Sequence, residues 1–128
     1  MATSIAVKIF TFSVLLAITT ALTDDELAQA ACAAIAPSGF VSAIRKPCNR
    51  NNPSCNTLCR DAACSMRKLY GNQGSTSGTC FQTFHIYSRR TTLKNSDMGK
   101  AHMAMYMYKK GTGCDYTNCG PNFCCCKA

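Results

Sequence analysis

The sequence predicts a small, disulfide-rich, secreted α+β domain in which a central helix packs on a short antiparallel sheet. Three observations predict it: 11 cysteines in 128 residues, one strongly amphipathic helical segment, and two short segments that alternate as strands do. This cysteine density is typical of secreted domains whose cores are too small to be stable without covalent links. The length suggests a single domain.

The amino-terminal segment has the pattern of a secretory signal peptide. Lys8 precedes an apolar run over residues 9–18, which is too short to span a bilayer, and small residues around Ala21 and Thr23 follow it. We therefore assign residues 1–23 to a signal peptide and residues 24–128 to one cysteine-rich domain. This assignment predicts an extracellular protein whose cysteines meet an oxidising environment.

The first predicted helix follows directly. Thr23 and Glu26 have the spacing of a helix capping box, and the alanine-rich segment 27–36 is strongly helix-prone. Two interpretations are open: the helix is an acidic pro-piece, or it is docked on the domain. Cys32 favours docking, because a disulfide at that position would hold the helix in place.

The second predicted helix spans residues 53–70. Asn52 and Pro53 are suited to the cap and the first turn, and Gly71 to the end. Helical spacing places six residues on one face: Cys55, Leu58, Cys59, Ala62, Met66 and Leu69. Cys64 points to the opposite, charged side, so it either pairs with another segment or is the unpaired cysteine.

Two strands are predicted from alternation. Residues 81–87 place Phe84 and Ile86 on one face. Residues 103–108 place methionines on one face and alanine and tyrosines on the other, and we favour a core position for this second strand. If the two segments pair as a hairpin, the basic loop over residues 88–100 lies at one tip.

The cysteine spacing predicts two specific bonds. Cys55 and Cys59 lie one helical turn apart and project together, and Cys124 and Cys126 share one face of an extended strand. Bonds 55–124 and 59–126 would hold the helix on the last strand, while Cys125 reaches elsewhere.

All cysteines are disulfide candidates: Cys32, Cys48, Cys55, Cys59, Cys64, Cys80, Cys114, Cys119, Cys124, Cys125 and Cys126. Because their number is odd, at least one is free or forms a disulfide-linked homodimer.

Three cysteine motifs resemble the cysteine-stabilised helix–sheet pattern of defensins. They are Cys-x-x-x-Cys at residues 55–59, Gly-x-Cys at residues 78–80 and Cys-x-Cys at residues 124–126. The gap between the last two motifs is longer than in defensins. The whole layout, with its signal and basic cysteine-rich chain, resembles the antimicrobial polypeptides of mussel blood cells, in particular the myticusin type. These resemblances imply bacterial killing by a secreted cationic protein.

The charge balance predicts anionic partners. Lysine and arginine number 14 against 6 acidic residues, which gives a formal net charge of +8. Such a protein is attracted to anionic microbial membranes or cell-wall polymers, and to nucleic acid without sequence specificity. The candidate residues for anionic-surface binding are Arg89, Arg90, Lys94, Lys100, Lys109 and Lys110. Cations beside methionines and tyrosines suit an anionic lipid surface.

Catalytic and metal chemistry have little support in the sequence, so we predict no enzyme activity, no metal and no cofactor. The cysteine gaps are looser than in zinc sites, and His85 and His102 are isolated. Nucleophile-elbow, phosphate-loop and zinc-protease motifs are missing. The leading hypothesis is a secreted antimicrobial host-defence protein. The alternatives are a secreted toxin or matrix-binding protein and, less favoured, a basic nuclease that uses the histidines.

Overall fold

The computed structural model of the protein describes residues 22–88 and 104–128, which form two helices and four strands. In chain order the elements are α1 (Asp24–Ile35), β1 (Val41–Arg45), α2 (Cys55–Leu69), β2 (Thr79–Tyr87), β3 (Ala104–Met107) and β4 (Phe123–Lys127). The predicted α+β class is confirmed. The sequence did not predict β1, and nearly all of the predicted signal peptide lies outside the described residues.

The last strand of the chain lies inside the sheet. The strand order is β1-β4-β2-β3, and every neighbouring pair is antiparallel. Cys125 lies opposite Ala43 of β1 on one side and opposite Gln82 of β2 on the other. Beyond the strand, the backbone N–H of Ala128 donates to the carbonyl of Phe40 at 3.0 Å. A carboxyl terminus that would normally fray is therefore bonded along both edges.

The three adjacent cysteines of β4 attach both helices to the sheet. Neighbouring residues of a strand point to opposite faces, so the middle cysteine faces one helix and its two neighbours face the other. The bonds are Cys32–Cys125, Cys55–Cys124 and Cys59–Cys126. The two predicted bonds from α2 are confirmed, and α1 is docked on the opposite face. The result is a sheet between two helices.

Two further disulfides join a loop to a loop and β2 to a loop, and one cysteine stays unpaired. Cys48 bonds Cys119, and Cys80 bonds Cys114. Cys64 is exposed and free. Of the two alternatives predicted for Cys64, the unpaired cysteine is the one observed, because its position on α2 points away from the sheet.

α1 covers the first edge of the sheet as well as its face. Ala28 and Cys32 are fully buried in the core beneath the helix. The amide of Gln29 donates to the carbonyl of Val41 at 3.0 Å and accepts from the N–H of Ala43 at 2.8 Å. This side chain thus replaces a neighbouring strand for β1, which is a common means of protecting a sheet edge.

α2 differs from its prediction at both ends. Its N-cap is Ser54, whose hydroxyl accepts from a backbone N–H in the first turn, and not Asn52. Leu69 was expected on the buried face, but it is 75% exposed. Tyr70, just beyond the helix, packs there instead, with its ring 4.9 Å from the ring of Phe40.

Close packing of α2 on the start of β2 explains why the Gly-x-Cys motif has a glycine at residue 78. A Cβ atom built on Gly78 would overlap the backbone carbonyl of Cys59 in α2. Only glycine lets the helix approach the start of β2 this closely. The motif therefore reports close helix–strand packing in this chain.

Candidate functional site

The predicted hairpin is confirmed and defines the outer edge of the sheet. β2 and β3 pair antiparallel, with Phe84 opposite Met107 and Tyr87 opposite Ala104. Among the described elements, β3 contacts β2 alone, because α1 packs mainly over β1 and α2 packs over β2 and β4. The side chains of β3 therefore extend beyond both helices.

The side chains of β3 are exposed, which overturns the expected core position for this strand. The exposed fractions are 38% for Met105, 57% for Tyr106 and 45% for Met107. Alternation alone predicted the strand correctly, but burial depends on which helix covers it. Three large apolar or aromatic side chains in a row on an edge strand form a surface patch that needs a physical explanation.

The two methionines continue the core under α1 out to the surface. Met105 and Met107 lie opposite Ile86 and Phe84, which are buried in that core. Residues on opposite strands of a register pair share one face of the sheet. The methionine side of β3 is thus the uncovered end of an apolar layer.

Tyrosines cover the other face of this edge. The ring of Tyr108 meets those of Tyr106 and Tyr116 edge-on, at centroid distances of 4.9 and 5.6 Å. Burial raises the pKa of Tyr108 above its usual value, and the nearby Tyr87, Tyr106 and Tyr116 raise it further. The cluster is a mixed aromatic and polar surface beside the methionine face.

His85, a candidate for the nuclease hypothesis, lies within this tyrosine face. Its ring is 4.2 Å from that of Tyr87, and its Nδ1 contacts the carbonyl of Gly120. These contacts give the imidazole a packing role. The second histidine of that hypothesis, His102, lies outside the described residues.

Two of the six predicted surface cations adjoin β3. Lys109 and Lys110 follow the strand after one residue, Tyr108, and both are exposed. The other four, Arg89, Arg90, Lys94 and Lys100, lie outside the described residues. The structure thus brings at least two cations next to the exposed methionines and tyrosines.

Three of the acidic residues lie at the opposite edge of the sheet. Asp24, Asp25 and Glu26 form the first turn of α1, which packs mainly on β1. Asp25 is also paired with Arg45 of β1 at 2.8 Å. The charge distribution is therefore uneven, and this acidic cluster is remote from β3.

Lys46 is a buried cation that sequence reasoning missed. It is only 2% exposed, and its Nζ donates to the Asn52 side chain at 2.8 Å and to the Asn118 carbonyl at 2.7 Å. Burial lowers its pKa. It connects two loops beside the Cys48–Cys119 bond, so its charge is structural and is not presented to a partner. No sequence pattern distinguishes it from the exposed lysines.

Metal-binding groups and membrane-spanning helices are absent from the described residues. Within residues 22–88 and 104–128, no group of three or more histidine, cysteine or acidic side chains is placed to hold a metal ion. No helix in this part of the chain is long and apolar enough to cross a membrane.

Comparison with known proteins found no family model, no curated protein and no solved structure that matches this chain. The surface of β3 and its surroundings are therefore the basis for a functional proposal.

The tyrosine cluster should lower the free energy of unfolding at alkaline pH. Because the pKa of Tyr108 is raised in the folded protein, the folded state retains a proton that the unfolded chain loses near the usual tyrosine pKa of about 10. Stability should then fall as pH rises above that value. Tyr108→Phe should make this fall shallower in urea unfolding between about pH 8 and 11. Both the Tyr108 protein and the Tyr108→Phe variant carry Cys64→Ser, which prevents thiol exchange. An equal slope of unfolding free energy against pH in the two proteins would refute the prediction.

Proposed function

We propose that this protein is a secreted cationic host-defence protein that binds anionic microbial surfaces and impairs bacteria. The observation that carries the proposal is an exposed edge strand of methionines and tyrosine that is followed, after Tyr108, by the exposed Lys109 and Lys110. A net charge of +8 supplies attraction over a longer range.

Binding to an anionic lipid surface has two steps, attraction and insertion. Lysines near an anionic lipid surface each contribute about 1 kcal/mol of attraction. Apolar side chains then move from water into the interface, and a fully buried methionine gains about 1.5–3 kcal/mol. The side chains of β3 are already exposed, so neither step requires the disulfide-bonded fold to open.

The uneven charge distribution favours one orientation. The acidic first turn of α1 lies near β1, and β1 and β3 are the two outer strands of the sheet. With β3 against an anionic surface, the repulsion between that surface and Asp24, Asp25 and Glu26 is weakest, since exposed charges are screened beyond about 8–10 Å at physiological salt.

The double change Lys109→Gln and Lys110→Gln should weaken binding to phosphatidylglycerol vesicles. At about 1 kcal/mol for each lysine, the partition coefficient should fall about 30-fold at low salt. The matched control is Arg50→Gln with Lys68→Gln, which removes the same charge from exposed positions outside β3. Vesicle sedimentation measures both.

A companion variant changes Arg89, Arg90, Lys94 and Lys100 to glutamine, and we expect weaker binding with a flatter salt dependence. Equal losses in the control and in the Lys109→Gln and Lys110→Gln variant, which remove the same charge, would show that only total charge matters, which contradicts a specific surface. The host-defence proposal itself fails if micromolar protein neither releases dye from anionic vesicles nor inhibits bacterial growth. Cleavage of RNA in a parallel assay would favour the nuclease alternative.

We also propose that Cys64 links two copies of the chain. It is the free cysteine among the described residues, and it is exposed on α2. In an oxidising environment such a thiol can form a bond between chains. A dimer should appear on a non-reducing gel, disappear on reduction and be absent from Cys64→Ser. A purely monomeric wild-type protein after secretion would refute this proposal.

A further inference from the structure

A groove of about 230 Å³ opens on the α1 face, between the end of α1 and β3. Its apolar lining comes from Ile35, Pro37, Phe81 and Met107, and two lysines, Lys110 and Lys127, also line it. It exists because α1 ends before it reaches β3. The groove is thus the point where the core layer under α1 opens to solvent.

The two lysines leave the groove positively charged. The Nζ of Lys127 donates to the Ser38 hydroxyl, a neutral group, at 3.2 Å. The ion pairs within residues 22–88 and 104–128 involve Arg45 and Arg60, so neither groove lysine is neutralised by a carboxylate there. The lining residues in the described part of the chain include no acidic side chain.

The stem of Lys127 packs against the backbone of Gly39. Gly39 has a φ of +93°, and a Cβ atom built on it would collide with the Cε of Lys127. The lysine stem therefore lies directly across a glycine that adopts a conformation most residues avoid. This packing holds the ammonium group next to the apolar lining.

We infer that the groove binds one acyl chain of an anionic lipid, with the lipid phosphate between Lys110 and Lys127. Apolar walls match the chain, and two ammonium groups that have no acidic partner among the described residues match the headgroup. The volume is below the roughly 300–1,000 Å³ of sites for drug-sized ligands, so the groove takes a segment of one chain. The inference rests on the proposed function and names the lipid group that is recognised.

The test uses monomeric lipid, which separates the groove from general surface attraction. Palmitoyl lysophosphatidylglycerol is titrated below its micelle concentration by calorimetry, beside the lysophosphatidylcholine of the same chain and glycerol phosphate without a chain. The test variant is Ile35→Glu and its matched control is Leu69→Glu. Both change an exposed apolar residue at the last position of a helix, but Leu69 does not line the groove.

The expected result is saturable binding of one anionic lysolipid for each chain. Affinity should fall about tenfold or more with Ile35→Glu and stay unchanged with Leu69→Glu, and the choline lipid and glycerol phosphate should bind weakly. The inference is overturned by non-saturable binding, by equal affinity for both lysolipids, or by an equal effect of the two variants. Wild-type vesicle binding without lysolipid binding refutes the groove alone. If the wild-type protein does not bind anionic vesicles, the proposed function itself is refuted.

Discussion

Neighbouring side chains of an extended strand must point to opposite faces, and this constraint determines the architecture. Three consecutive cysteines in β4 therefore reach both sides of the sheet, and one five-residue strand holds α1 and α2 together. The bonded residues are 93, 69 and 67 positions apart in sequence. Disulfides that close such long loops contribute about 2–4 kcal/mol each, which a small core could not easily supply.

The same attachment leaves β3 uncovered. All three bonds enter β4, so the helices lie near β4, and β2 separates that strand from β3. The opposite edge is protected, since Gln29 bonds the backbone of β1. An exposed apolar edge strand invites unwanted pairing between molecules, and adjacent lysines reduce that risk. Lys109 and Lys110 lie where they can limit such pairing, and the proposed function would use the same edge to contact anionic lipid.

Two of the five disulfides and the hairpin could be predicted from the sequence, whereas the partners of the other bonds and the burial of β3 could not. The spacing of Cys55 and Cys59 against Cys124 and Cys126 was sufficient for two bonds, because helix and strand periods restrict where sulfurs project. Alternation was sufficient for the hairpin. The exposure of β3 depends on where the helices lie, which periodicity does not contain. Helical spacing likewise puts Leu69 on the buried face of α2, but the sheet does not cover that face at the end of the helix, and Leu69 is exposed.

Assignment of the cysteine bonds in the native protein tests the central claim most directly. Cys124, Cys125 and Cys126 stay on one peptide after proteolysis, so their partners must be assigned by fragmenting disulfide-linked peptides with electron transfer. The account predicts Cys125 bonded to Cys32 of α1 and both of its neighbours bonded to α2. A bond from Cys125 to α2, or a bond from either neighbour to α1, would contradict it.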